Sequence, residues 1–219
     1  MGYFRELPNV EYESPFSSRT SSSTFILAKN IFRRMKIRDD LQNIFTLFDK
    51  YEIREGARPD TVAEELYGKA DYDWVVLISA NIINIREQWP LSNKDLYDYT
   101  VSKYGLENIN DAHHHETKLI KNSKGNIIVQ SGKQVDSDFS VTYYDPDVSS
   151  TPIIKTEITR AVSNYDYETM INEEKATIYL LKPSYLQQFL NDMRNEMVYK
   201  ESSQFVDNKL IKTENTRAK

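Results

Sequence analysis

The chain contains three histidines, and they are consecutive, at His113, His114 and His115. Imidazole nitrogens bind transition metals and titrate near neutral pH, so this cluster is the first candidate for chemistry. Side chains alternate between the two faces of a strand, so on a strand only His113 and His115 could share a metal ion. Asp111 or Glu116 would have to supply a third ligand. A solvated polar loop is the simpler interpretation, and a metal hydrolase is the sharper one.

Acidic residues also occur in pairs spaced two residues apart. The pairs are Asp71 with Asp73, Asp136 with Asp138, and Asp145 with Asp147. Glycoside hydrolysis needs two carboxylates that face each other across a sugar, about 5–10 Å apart. Acids this close in sequence rarely meet that requirement when they lie in turns. We expect Asp71 and Asp73 to cap a helix instead.

Other catalytic arrangements are missing from the sequence. It has no cysteine, no Ser-His-Asp order and no G-x-S-x-G motif. Its six glycines form neither of the common phosphate-binding loops. We therefore expect no enzymatic activity, no cofactor and no bound metal.

The composition favours protein partners over nucleic acid or membrane. Lys and Arg total 28 and Asp and Glu total 33 in 219 residues, so the net charge is −5. General nucleic-acid binding needs a basic surface instead. No run of about 18 apolar residues could span a bilayer, and the N-terminus does not resemble a signal peptide, so we expect synthesis in a cytosol. The 15 tyrosines are a high number, and tyrosine is enriched at protein interfaces.

The elements that would position these residues are clearest in the second quarter of the chain. Residues 43–53 suggest a strand. A helix follows, which Thr61 and Glu64 would begin as a capping box and Gly68 would end. A second helix is expected from about Asp71. Its buried stripe has the spacing i, i+3, i+4, i+7, i+8 and comprises Trp74, Leu77, Ile78, Asn81 and Ile82.

A third helix is predicted between Ser92 and Gly105, after a break at Pro90. Its inward face comprises Leu96, Tyr97, Thr100, Val101 and Tyr104. The two tryptophans fall on either side of an apolar stretch. Trp74 is expected in the core, whereas Trp89, in a predicted loop, either packs internally or contacts a partner.

The regions on either side of residues 43–105 are predicted to be an arm, an insertion and a tail. Residues 1–42 hold an aromatic N-terminal arm at 1–24, which docks on its own domain or on a partner, and an apolar and basic stretch at 25–42. This stretch fits a helix or a strand, and is either half-buried or a basic patch that binds an acid or a partner. Residues 106–160 are rich in turns and include a β-hairpin that joins 118–121 to 127–130.

The last third of the chain is predicted to contain one strand and one helix. Residues 161–200 hold the strand at 178–181 and the helix after Pro183. The apolar face of that helix comprises Leu186, Phe189, Leu190, Met193 and Met197. Residues 201–219 are polar and are predicted to form a mobile tail.

Several segments, taken together, match a known family. The central ones are Arg58-Pro-Asp-Thr-Val-Ala-Glu-Glu-Leu-Tyr-Gly68, Trp74-Val-Val-Leu-Ile-Ser-Ala-Asn-Ile-Ile-Asn84 and Gln88-Trp-Pro-Leu91. The others are Tyr3-Phe4, Pro8-Asn-Val-Glu-Tyr12, Asn30-Ile-Phe-Arg-Arg-Met-Lys-Ile-Arg38, Tyr51-Glu-Ile with Gly56, Asn172-Glu-Glu-Lys175 and Leu181-Lys-Pro-Ser-Tyr-Leu186. The combination resembles the baseplate wedge protein family (the gene product 53 type) of contractile-tailed, T-even-type bacteriophages, most strongly over 44–91.

The resemblance implies an α+β fold with a LysM-like βααβ core. An extended N-terminal arm, a β-rich insertion and a C-terminal helix surround this core, and residues 83–89 are a candidate for its closing strand. LysM modules elsewhere bind polymers of N-acetylglucosamine. The LysM-like core residues implied here are Pro59, Asp60, Leu66, Tyr67, Gly68, Trp74, Leu77, Asn81 and Ile82.

The resemblance also implies a structural role in the tail baseplate of the virion. Family members join other wedge proteins, and possibly hub or sheath-proximal proteins, and link wedges around the central hub of a six-fold assembly. Binding of cell-wall glycan through the LysM-like unit is the alternative function. The residues predicted to contact partner proteins are Tyr3, Phe4, Tyr12, Trp89 and Tyr97.

Overall fold

The computed structural model describes residues 2–13, 25–37 and 46–213. The predictions made for residues 14–24 of the arm, for residues 38–42, for the start of the first predicted strand and for the end of the tail lie outside these residues. The chain divides into two compact units, Met1–Trp89 with Thr177–Lys219 and Pro90–Ala176. Helices and strands occur in both units, which confirms the α+β class.

The N-terminal part of the first unit contains short helices and strands. The strands are β1 (Asn9–Glu13), β2 (Phe25–Lys29) and β3 (Phe48–Glu52). The helices are α1 (Gly2–Glu6), α2 (Pro59–Tyr67), α3 (Asp73–Ser79) and α4 (Ile85–Gln88), and a 3₁₀ turn at Ala70–Tyr72 precedes α3.

Helix α2 begins earlier than the capping box predicted. Arg58 is its N-cap and makes no side-chain cap hydrogen bond, so Thr61 lies inside the helix. Pro59 suits the first helical position, because its fixed φ is helical and the first turn needs no N–H donor. Gly68 ends the helix as predicted, with a left-handed φ of 72°.

Helix α3 ends at Ser79, earlier than the apolar periodicity predicted. The N–H of Asn81 donates to the Ile78 carbonyl, and the N–H of Ile82 donates to the Leu77 carbonyl. Asn81 has a left-handed φ of 55°, the conformation that closes many helix C-termini and that asparagine tolerates well. Its side chain is exposed, so the placement of Asn81 on the buried stripe was wrong.

Residues 83–89, the candidate closing strand, contain helix α4 instead. The Asn84 side chain caps this helix by accepting from the Arg86 N–H. Gln88 Oε1 accepts from the N–H groups of Ile83 and Asn84, at 2.7 and 2.8 Å. These local side-chain bonds hold the backbone in a turn, so they compete with extended pairing.

The second unit combines two helices with seven short strands. The helices are α5 (Asn93–Tyr104) and α6 (Asn164–Ala176), of which only α5 was predicted. The strands are β4 (Ala112–Thr117), β5 (Ile120–Lys121), β6 (Ile127–Val129), β7 (Gln134–Val135), β8 (Val141–Tyr143), β9 (Ile153–Lys155) and β10 (Thr159–Ser163). Strands β10, β4 and β7 form one antiparallel sheet, β8 pairs with β9, and β5 pairs with β6 as the predicted hairpin.

The chain then returns to the first unit. The elements are β11 (Thr177–Leu181), a 3₁₀ turn at Pro183–Tyr185, α7 (Leu186–Glu196), β12 (Phe205–Asp207) and β13 (Leu210–Lys212). Strand β11 pairs antiparallel with β3, so the strand that closes the sheet comes from far along the sequence. Strand β13 pairs parallel with β1, which gives a four-stranded sheet of order β12-β13-β1-β2. Strands β12 and β13 therefore lie where a mobile polar tail was predicted.

The two units differ in what they bury. The first unit holds two apolar clusters, one around Trp74, Leu190 and Met193 and the other around Val62, Val76 and Leu180. The buried polar side chains of the second unit are Thr100, Glu116, Thr117, Asp145, Asn164 and Glu168. Hydrogen bonds between polar groups therefore contribute more to the interior of the second unit.

Candidate interaction surfaces

The N-terminal helix α1 docks on the first unit itself. The Tyr3 ring lies 5.6 Å from the Trp74 ring, which in turn stacks on Phe189 at 6.0 Å. Glu6 binds the Arg194 guanidinium through both carboxylate oxygens, at 2.8 and 2.9 Å. This contact with Arg194 lowers the pKa of Glu6. Tyr3 thus serves internal packing, whereas half of the Phe4 side chain remains exposed.

Both tryptophans are buried in the first unit. The Trp89 indole donates a 2.8 Å hydrogen bond to the Ala57 carbonyl, and its side chain belongs to the cluster of Val62 and Leu180. Trp74 belongs to the other cluster. Neither indole presents an open face on which a sugar ring could stack.

The residues named for the LysM-like core fall into three groups by burial. Pro59, Trp74 and Ile82 are buried, and Gly68 and Asn81 are exposed at helix ends. The partly buried ones are Asp60, Leu66, Tyr67 and Leu77.

Tyr67 ties helix α2 to strand β11. Its hydroxyl donates a 2.7 Å hydrogen bond to the Leu181 carbonyl, and burial raises the pKa of this hydroxyl. We expect Tyr67→Phe to lower the free energy of unfolding by about 1 kcal/mol, because a partly buried carbonyl loses its donor. Urea denaturation followed by tryptophan fluorescence measures this loss, and Tyr179→Phe, an exposed tyrosine on β11, is the control. Equal stabilities for the two variants would contradict the prediction.

Arg33 caps the C-terminal end of helix α7, an interaction that no sequence pattern indicated. Its guanidinium donates to the carbonyls of Glu196, Met197 and Val198 at 3.1–3.3 Å. A cation at this end of a helix is favourable, because the last carbonyls carry partial negative charge. These hydrogen bonds hold the segment after β2 against the C-terminal end of helix α7.

The four-stranded sheet has a different character from the rest of the first unit. Every residue of its four strands, all of which the structure describes, is partly or fully exposed. The sheet nevertheless carries large apolar side chains, among them Tyr12, Ile26, Leu27 and Val206. Apolar side chains on a sheet that buries none of them are typical of a surface that meets a partner.

In the second unit, Tyr97 lies on the exposed side of helix α5, so its placement on the inward face was wrong. Its ring makes an edge contact with Tyr165 at 6.2 Å, and two-fifths of its side chain is exposed. Further along the same helix, Lys103 Nζ and the Tyr104 hydroxyl donate to buried Glu168 of helix α6, at 2.6 and 2.9 Å. Burial alone would raise the pKa of Glu168, but the bonds from Lys103 and Tyr104 lower it.

The histidine cluster lies on strand β4 beside a β-bulge. Val162 pairs with His114 and Ser163 pairs with Ala112, so His113 is the extra residue. The bulge breaks the expected alternation, and Nδ1 of His113 lies 2.9 Å from Nδ1 of His114. The His113 ring stacks on Tyr167 at 3.8 Å.

Neither metal ligation nor membrane insertion finds support in the described residues. Across residues 2–13, 25–37 and 46–213, no group of three histidines or acids is placed to hold a metal ion. Within the same residues, no helix is long and apolar enough to cross a membrane.

Acid pH is expected to destabilise the second unit before the first, because its carboxylates with a lowered pKa are buried, whereas Glu6 and Asp71 of the first unit, whose pKa values are also lowered, are not. Arg160 lowers the pKa of buried Glu116, and the Ser123 N–H and hydroxyl lower the pKa of Asp145. The pKa of Glu168 is lowered by its bonds from Lys103 and Tyr104. A carboxylate with a lowered pKa contributes stability above its ordinary value, and this contribution is lost as pH falls through the folded-state value. This loss of stability therefore begins when the pH falls below 4.5, the ordinary pKa of glutamate.

Amide hydrogen exchange between about pH 7 and pH 3, corrected for intrinsic rates, measures this effect in each unit. We expect residues 93–176 to lose protection first, and Glu168→Gln to make their pH dependence shallower. Loss of protection in residues 48–89 at the same or a higher pH would contradict the prediction.

The family model described as "Base plate wedge protein 53" matches residues 4–195, which is most of the chain. No curated protein matches the sequence. The chain therefore belongs to the base plate wedge protein 53 family.

Proposed function

We propose that this chain is a wedge subunit that joins other wedge proteins and links wedges around the central hub during assembly of a contractile tail. The family match over residues 4–195 carries this proposal. In this role the chain is a late protein, is made in the host cytoplasm and occupies the baseplate of the virion in several copies with six-fold symmetry. The protein partners are the other wedge subunits and, by extension, hub or sheath-proximal proteins.

The exposed apolar surface supports an assembly role on physical grounds. Subunits of permanent assemblies bury large apolar surfaces only in the complex. The candidate contacts that remain exposed are Phe4, Tyr12 and Tyr97, at 50%, 38% and 42% of their side chains. Aromatic residues of this kind are enriched at the centres of interfaces. These three are the partner contacts we propose, Phe4 and Tyr12 on the first unit and Tyr97 on the second, while Tyr3 and Trp89 pack inside the first unit.

We also propose that the core of the first unit is LysM-like, with a βααβ order of β3, α2, α3 and β11. The antiparallel pairing of β3 with β11 supports this order, as does the packing of α2 and α3 residues against β11 in one apolar cluster. The whole second unit is then an insertion between the last helix of the module and its closing strand.

Two binding experiments on the purified full chain separate assembly from glycan binding. Sedimentation with the other wedge proteins of the same phage is expected to show a stable complex, and Phe4→Ala with Tyr12→Ala is expected to weaken it. A pull-down with peptidoglycan or chitooligosaccharide is expected to retain none of the chain at about millimolar ligand, a weak affinity by any standard. Retention on glycan without a wedge complex would replace the proposal with glycan recognition.

A further inference from the structure

Strand β2 is an edge strand with main-chain groups that point away from its neighbour. Residues 25–29 pair antiparallel with β1, and the Asn30 N–H donates to the Pro8 carbonyl at 2.8 Å. Because main-chain groups alternate along an antiparallel strand, Ile26 and Ala28 also direct theirs toward β1. The N–H and carbonyl groups of Phe25 and Leu27 therefore face the other way. Among the described residues, β1 is the only strand that pairs with β2.

The side chains at this edge are more apolar than an exposed edge normally allows. Leu27 is 60% exposed, and just after the strand Ile31 and Phe32 are 64% and 92% exposed. Natural proteins usually protect an exposed edge with charges, prolines or bulges, because an apolar edge is a template for pairing with another chain. None of these five β2 residues is proline, and the single charge, Lys29, lies at the end, with its Nζ donating to the Leu7 carbonyl.

The charge around the edge indicates the chemistry of its partner. Residues 25–37 contain four basic residues, Lys29, Arg33, Arg34 and Lys36, and no acidic residue, although the whole chain has a net charge of −5. In the part of the chain that the structure describes, the hydrogen-bond partners of the Arg33 guanidinium are carbonyl groups, which carry no formal charge. Arg34 is exposed. An acidic segment complements this local charge.

We propose that the outer edge of β2 is a strand-addition site for an extended, apolar and acidic segment of another baseplate protein. The added strand pairs with the outward main-chain groups of Phe25 and Leu27 and extends the four-stranded sheet to five strands. Its apolar side chains pack against Leu27 and Phe32, and its acidic side chains lie near Arg34. The inference rests on the proposed function and specifies one of its contacts.

Complementation with purified protein tests this site. Extract from cells infected by a phage that lacks this gene product is supplied with wild-type or variant full-length chain, and infectious particles are counted. Leu27→Pro removes an outward N–H and places a ring in the path of the added strand, while β1 pairing is kept. We expect it to lower particle yield about tenfold or more, because paired main-chain bonds are lost. Ile154→Thr, at an exposed position of strand β9 in the second unit, is expected to leave the yield unchanged.

A matched pair of charge-reversal variants tests whether the site needs positive charge. Arg34→Glu is expected to lower the yield, whereas Lys94→Glu, the same charge change at an exposed position of helix α5, is expected to have no effect. Thermal unfolding checks that each variant folds. If Leu27→Pro does not fold, cryo-electron microscopy of wild-type baseplates decides, since the inference requires an extended partner segment alongside β2.

The outcomes distinguish the site from the function. Wild-type yield from both Leu27→Pro and Arg34→Glu, or a β2 edge that faces solvent in the baseplate, would overturn the strand-addition site alone. Complete baseplates formed without any added chain would overturn the proposed function and the site with it.

Discussion

Replacing Trp74 with alanine is expected to lower the free energy of unfolding of the first unit by about 3–5 kcal/mol. The indole is 6% exposed and lies between Tyr3 of helix α1 and Phe189 of helix α7, on which it stacks. Its removal leaves a cavity at the point where these two helices meet α3, and it also removes the aromatic contact of Tyr3 with the core. The loss therefore combines transfer and cavity terms with the loss of two aromatic contacts.

Urea denaturation followed by fluorescence measures this change, because Trp89 lies in the same unit and remains as a reporter. Phe4→Ala, an exposed aromatic on the same helix as Tyr3, is the control and is expected to cost less than about 1 kcal/mol. Trp74→Phe keeps a ring in place and is expected to fall between them. A Trp74→Ala variant no less stable than Phe4→Ala would contradict the docked arrangement of α1.

Leu180→Ala is expected to destabilise the first unit by about 2–5 kcal/mol, the second largest effect. Leu180 is 1% exposed and lies on β11, in the apolar cluster that includes Val62 and Val76. It is the residue through which the closing strand contributes most directly to the core. The size of its effect therefore tests whether residues 177–181 belong with residues 48–89.

Tyr179→Ala gives a matched control on the same strand. Its side chain is 50% exposed and points to the opposite face, so we expect a loss of less than about 1 kcal/mol. The comparison cancels any general effect of alanine on strand propensity. Similar losses for the two variants would show that β11 does not close this core.

Local signals in the sequence predicted the fold where the interactions are local. Gly68 and Gly105 end their helices, and Ser92 caps α5 by accepting from the Asp95 N–H. The turn between β5 and β6 lies where the glycine and asparagine residues indicated it. Helix periodicity also identified the apolar face of α7.

Long-range pairing is what the sequence could not specify. Strand β3 pairs with β11, and β1 pairs with β13, across separations that no local pattern encodes. Short strands such as β13 carry too few residues to show alternation, so a polar tail was predicted in their place. The bulge at His113 depends on the register with β10, and the role of Arg33 depends on where α7 ends.

Assembly surfaces are harder still to predict, because exposure is a property of the folded chain. Five aromatic residues were predicted to contact partners, and the structure separates them into buried Trp89, partly buried Tyr3 and exposed Phe4, Tyr12 and Tyr97. A sequence shows where the aromatic residues are without indicating which of them are buried in the core. The outer edge of β2 can be recognised as exposed and apolar only when its pairing with β1 along the other edge is known.

Electron microscopy of particles grown without this gene product tests the central claim most directly. The proposed wedge role predicts that complete baseplates and tails are absent, and that supplying the wild-type chain restores them. Complete tails that fail to attach to cells or to penetrate them would contradict this account and favour glycan recognition.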